Sequence, residues 1–224
     1  MDDAISVSKN MYRAFRLAAD VSDEVNAVRN EIDKAFSHLG HRELKISSGE
    51  EIDDRWSQED WICWSWHIRH SVKQGRRTLG NIGYVYDFGM PGSVASCLEQ
   101  AVVVVAWSTN GHSPWEIDQF KLPDRDSWPK NKNDDGGNLE LKAGAKHLVL
   151  CKVKGIEGNS IPEMSFWYAI PLGALRERAD IKRLLIDPIV ALIEGGPIKA
   201  AFAKVRPDEL VQLEISGGEL RAAK

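Results

Sequence analysis

Between Trp61 and Lys73 apolar and polar side chains alternate. Ile62, Trp64, Trp66, Ile68 and Val72 take even positions, with His70 the one polar interruption; Cys63, Ser65, His67, Arg69, Ser71 and Lys73 take odd ones. A two-residue period sends the sets to opposite faces of extended backbone, which predicts a half-buried strand at the heart of a sheet. The segment 73–77 (KQGRR) is a turn signal with Gly75 suited to positive φ, and 78–88 alternates again through Ile82, Tyr84, Tyr86 and Phe88. The two runs predict a β-hairpin in which Gly80 and Gly83 mark a bulge or a close backbone approach. The β-branched run Val102 to Val105 reads as a strand covered on both faces. Residues 44–46, 148–153, 166–172 and 210–215 read as further strands, with 148–153 and 166–172 joined as a hairpin through the polar segment 154–163.

Helical periods flank the strands. Met11, Ala18, Val25, Ile32 and Leu39 are spaced by seven, and Ala14, Val21, Val28 and Ala35 follow three residues after the first four. This a/d pattern predicts a helix from about Ser8 to Leu39, ~48 Å long at 1.5 Å per residue, with Gly40 as its stop. Two uses compete for it. The helix packs across the sheet of its own domain, or part of the stripe, chiefly Met11, Val21, Val25, Val28 and Ile32, meets another copy or a partner protein. Residues 174–194 are helical by period, with a break or kink expected at Asp187-Pro188, and 198–205 suggests a short helix before a loose tail from Ser216.

The expected class is therefore α+β: a largely antiparallel sheet of five to six strands covered by the N-terminal helix and a C-terminal helical pair. Without a repeat or a clean linker, residues 1–224 read as one domain, with 1–40 a long helix, 41–172 mainly β, and 173–224 helical with a final short strand. Two stretches stand apart from the periodic elements. His41 to Asp60 form a connector rich in Asp and Glu around the short strand at 44–46, and 122–138 (LPDRDSWPKNKNDDGGN) is a long polar loop.

Composition narrows the function classes. A net charge of −4 leaves no excess of positive charge to hold a phosphate backbone, so nucleic acid is not an expected partner. The longest apolar run, Ala101 to Trp107, is far shorter than the ~20 residues that span a bilayer, and no secretory signal is read at Met1-Asp2-Asp3. Cys63, Cys97 and Cys151 are odd in number and widely separated, which points to reduced core thiols and a cytoplasmic location.

Candidate chemistry is sparse. Pro123-Asp124, then Glu140-Leu141-Lys142, resembles the signature of the PD-(D/E)xK nucleases. The resemblance implies that Asp124 and Glu140 hold Mg²⁺ or Mn²⁺ while Lys142 activates water or steadies the phosphate. In that family the acids sit on adjacent apolar strands, whereas here both fall in or beside the polar loop. The run from Asn131 to Gly136 echoes an EF-hand start but puts Lys142 where a bidentate carboxylate is needed. His67 and His70 point to opposite faces of a strand and cannot share one metal; His70 reads as a hydrogen-bonded core or edge histidine. Phosphate-cradling loops and the nucleophile elbow are absent from the sequence. The expectation is a non-catalytic subunit or adaptor acting through protein–protein contacts, as a homo-oligomer or with a protein partner, and without metal or cofactor. A metal-dependent nuclease and a small-ligand binder with a Trp-lined pocket are the alternatives.

Overall fold

The computed structural model describes residues 2–38, 44–47, 49–54, 65–88, 99–109, 139–153, 165–216 and 219–222. Helix α1 (Asp2–His38) is followed by β1 (Leu44–Ile46), β2 (Glu50–Asp54), β3 (Ser65–Gln74), β4 (Arg77–Asp87) and β5 (Val102–Thr109). Then come β6 (Leu139–Ala145), β7 (Leu148–Val153) and β8 (Ser165–Pro171). The next helix, α2, is built of Arg178–Asp180, a π-helical Ile181–Ile186 and Asp187–Ile193; α3 (Ile198–Ala201), β9 (Leu213–Ser216) and β10 (Glu219–Ala222) end the chain.

One antiparallel sheet runs in the order β1-β3-β4-β5-β8-β7-β6, with β2 also paired to β3, and β9 and β10 form a separate hairpin. This is an α+β architecture. Among the described residues the sheet has eight strands rather than five to six: β2 falls inside the acidic connector, and β6 follows the polar loop at 139–145, where the sequence reading placed no strand. β2 (EEIDD) and β6 (LELKAGA) are outer strands whose charged sequences hid their extended character. Charged side chains on both outer strands suit an edge, where they oppose pairing with another sheet.

The Trp-bearing stretch is extended over Ser65–Gln74, but β3 lies one place from the edge; β4, β5 and β8 occupy the middle. Along β3, Ile68, His70 and Val72 are buried while Lys73 is exposed, as the alternation requires. Gly75 takes φ +59° in the two-residue turn to β4. Opposite Val72 and Lys73 the register slips by one residue, and a Cβ on Gly80 would overlap the Ser108 carbonyl and lie 2.8 Å from the Trp107 ring. The bulge and the close approach are thus one feature.

Register stacks the inward residues in rows across the strands. Ile68 faces Tyr84, Val105 and Tyr168 in turn, and His70 faces Ile82, Trp107 and Phe166. Both helices cover this face. Val25, Ile32 and Phe36 of α1 and Leu184, Leu185 and Ile189 of α2 are buried in the same cluster as the sheet residues. Val102, Val104, Ala106, Trp167 and Ala169 on the opposite face are buried too, so β5 and β8 are covered on both sides.

No break occurs at Asp187-Pro188. Backbone angles stay helical through Ile186 and Asp187, and the Asp187 N–H reaches the Lys182 carbonyl in the wider π pattern. Pro188 has no N–H to give Leu184, so the carbonyl of Leu184 needs another donor. The Tyr168 hydroxyl supplies it, lying 3.2 Å from the Leu184 oxygen and 3.1 Å from that of Leu185. Sheet and helix are joined at the residue that was expected to split the helix. The tail is not loose either, since β10 pairs with β9 from Glu219 to Ala222.

Candidate functional site

Helix α1 carries two different surfaces. From Val21 onward Val25, Ile32 and Phe36 are buried, with Val21, Val28 and Ala35 partly so. Before Val21 every side chain that the structure describes (Lys9, Asn10, Tyr12, Arg13, Arg16 and Asp20) is exposed. Tyr12, at 67% exposure, is the large hydrophobic residue most open to solvent among the described residues. Of the residues expected to meet a partner, Val25 and Ile32 are instead committed to the chain's own core, and Val21 and Val28 pack against it. The physical reason is the sheet face beneath them, which presents Tyr84, Ile82 and Val72 to the same stripe. The side chain of Met11 lies outside the described residues.

A polar cluster seats the C-terminal half of α1. β1 and β2 share one edge of β3, pairing with 72–74 and 66–69 respectively, and the ladder lapses between them. That lapse frees backbone groups at Ser47 and Gly49, which side chains then satisfy. The Gly49 N–H donates to Asp33 Oδ1 on α1 at 3.0 Å, and His70 Nδ1 lies 3.0 Å from the Ser47 carbonyl. A carbonyl only accepts, so Nδ1 carries the proton. Nε2 of the neutral ring then presents a lone pair, 3.7 Å from Asp33 Oδ1 and without a hydrogen bond among the described residues. Phe36 and Tyr84 pack on the imidazole with centroids 4.8 and 5.8 Å away. Burial pushes the His70 pKa down, against the opposing pull of the Ser47 hydrogen bond and the Asp33 charge. A Cβ on Gly49 would fall 2.8 Å from Ile68 and 2.9 Å from Asp33 Oδ1, so only glycine fits this seat. The hydroxyls of Tyr84 and Tyr86 are buried nearby without hydrogen-bond partners among the described residues. Burial raises both phenol pKa values.

A second polar network lies under α2. Arg183 grips Glu209 in a two-pronged pair, with Nη1–Oε2 at 2.5 Å and Nη2–Oε1 at 2.8 Å, and Nη2 also meets Asp180 at 2.6 Å. Arg206 adds its backbone N–H and its guanidinium to the same carboxylate. The Arg183 hydrogen bonds hold the Glu209 pKa down at about 2. Beside this network an open groove of about 1410 Å³ runs past Glu24, Leu172, Leu175, Arg206 and Leu210. A smaller hollow of about 440 Å³ is lined by Lys146, His147, Phe202 and Leu210.

No protein family, curated protein or solved structure matches this chain.

The remaining sequence candidates fall as follows. Glu140 and Lys142 are two apart on β6 and so belong to one face of that edge strand, opposite Lys152 and Leu150 of β7. Asp124 and the loop 122–138 lie outside the described residues, as do the side chains of Glu140 and Lys142. Trp107 and Trp167 are fully buried in the sheet, and neither groove has a Trp in its lining. Trp64 and the Trp66 side chain are outside the described residues. No cluster of three His, Cys, Asp or Glu residues suited to a metal ion occurs among the described residues. No helix among them is long and apolar enough to cross a membrane. Sequence reading missed the seat at Ser47–Gly49; its one signal was a glycine set among serines inside an acidic stretch.

Proposed function

We propose that this protein acts through protein–protein contacts, and that the docking element is the N-terminal half of α1. The observation that carries the reading is the division of α1 at Val21. Among the described side chains, Val25, Ile32 and Phe36 are buried against the sheet, while Lys9, Tyr12, Arg13 and Arg16 stand exposed on successive turns. A helix of 37 residues is about 55 Å long, and its stripe of side chains described as buried lies wholly in its C-terminal half. Turns beyond that stripe add nothing to the described core of the domain, which is what a docking arm supplies.

The test is co-purification of the full chain from its native host beside a Tyr12→Ala/Arg13→Glu/Arg16→Glu variant. These positions are solvent-facing, so the variant is expected to keep its circular dichroism and Tm while losing whatever binds. A chain that is monomeric with nothing attached, or a partner retained undiminished by the folded variant, would defeat the reading.

A further inference from the structure

We propose that the occupant of the α1 arm is a second copy of this chain, bound antiparallel about a two-fold axis at Ala18. The inference rests on the reading of α1 as a docking element and names its partner. The outward side of α1 is ordered by charge: Lys9, Arg13 and Arg16 come first, then Asp20, Asp23 and Glu24, all exposed. Lys9, Arg13, Arg16, Asp20 and Asp23 are spaced four, three, four and three, which makes one continuous stripe. At about 100° per residue this stripe is centred roughly 135° around the axis from Val21, Val25, Val28 and Ile32. It therefore faces away from the sheet.

Such a stripe, basic in one half and acidic in the other, is complementary to itself when reversed. With the axis at Ala18, Arg16 of one copy stands level with Asp20 of the other, and Arg13 with Asp23. The symmetry repeats each pair, giving four cross-helix pairs in an isologous interface. Tyr12 falls level with Glu24, one of the residues that line the open groove. The alternative for these charges is weak: Arg16 and Asp20 lie 3.8 Å apart within one helix, both mostly exposed, and in the less favourable basic-before-acidic order. The described part of each body packs on the inward side of its own helix from Val21 onward, so the described parts of the two copies lie at opposite ends of the paired arms.

Exposed ion pairs are screened by salt, so the dimer weakens as the Debye length falls from about 30 Å at 0.01 M to 3 Å at 1 M ionic strength. Sedimentation velocity on the full chain at both ionic strengths reads this directly. Arg13→Glu/Arg16→Glu and, separately, Asp20→Lys/Asp23→Lys turn four attractions into four repulsions. Each is expected to raise the dimer Kd about tenfold or more. Mixing the two variants restores every pair and is expected to return a heterodimer of near wild-type affinity. Unchanged circular dichroism shows that both variants are folded. Wild-type monomer at low salt, a dimer indifferent to either reversal, or a mixture that fails to pair would each overturn the proposal. Capture of a different protein by a monomeric chain would overturn it while leaving α1 a docking element; loss of all binding through α1 would remove both.

Discussion

The two helices on the sheet are fastened by opposite kinds of polar chemistry. Under α2 the central polar groups are paired: Glu209 takes four donors from Arg183 and Arg206, and the Tyr168 hydroxyl covers the carbonyls of Leu184 and Leu185. Under α1 the accounting stops short. His70 Nε2 stands at 3.7 Å from Asp33, and the hydroxyls of Tyr84 and Tyr86 lack hydrogen-bond partners among the described residues. Buried polar groups stabilise when completed and cost free energy when left open. The comparison teaches that α2 is part of the framework, whereas α1 is held chiefly by Val25, Ile32 and Phe36. An element whose described apolar contacts lie in its C-terminal half suits an arm that exposes Lys9, Tyr12, Arg13 and Arg16 in the other.

The largest expected effect is at Arg183. Arg183→Met leaves the Glu209 and Asp180 carboxylates without their main counter-charge and should cost about 3 kcal/mol in urea denaturation. A loss below about 1 kcal/mol would mean that α2 is no better fastened than α1.

The tyrosines divide the comparison more finely. Tyr168→Phe strips the donor from two carbonyls of α2 and should destabilise by about 1–2 kcal/mol. Tyr84→Phe removes a hydroxyl that is buried without a partner and should be neutral or stabilise by up to ~1 kcal/mol. The same chemical change on two strands that flank β5 thus gives opposite signs in thermal melts. Equal losses at the two sites would end the distinction.

The smallest effect is a dependence on pH. The folded ring of His70 binds its proton less readily than the unfolded one, so stability is full above about pH 6.5 and declines as pH falls below it. Asp33 opposes this decline and Arg29 adds to it. His147, also lowered by burial, contributes a slope of the same sign. In His70→Asn the side-chain N–H can still serve Ser47, and the slope between pH 6.5 and 5 should flatten. Glu209 acts in a lower window. Its contribution is present above about pH 4.5 and lost as pH falls towards about 2. A wild-type curve flat from pH 8 to 5 would show that His70 is not the weak point of the α1 seat.

Much of the framework was legible in the chain. Alternation placed β3 and β4, the β-branched run placed β5, and Gly75 and Gly80 marked the turn and the bulge. These features are local, and backbone sterics and the two-residue period decide them without reference to the rest of the molecule. Charge hid β2 and β6, because an edge strand needs burial on only one side and tolerates carboxylates along its rim. The pattern along α1 showed an apolar stripe but not how much of it the domain would use, since that depends on how far the sheet extends beneath the helix.

What the sequence determined by itself was the alternation of faces, the turn glycines and the charge order along α1, each set within a few residues. Tertiary structure alone decided that Val25 and Ile32 turn inward and that a lapse between two edge strands is filled by Asp33 and His70. It also decided that a tyrosine on β8 carries α2 across Pro188. The hydrogen bonds involved join residues 16 to 23 positions apart. Their energies exist only after the sheet has brought the partners within hydrogen-bond range, so no local pattern along the chain could announce them.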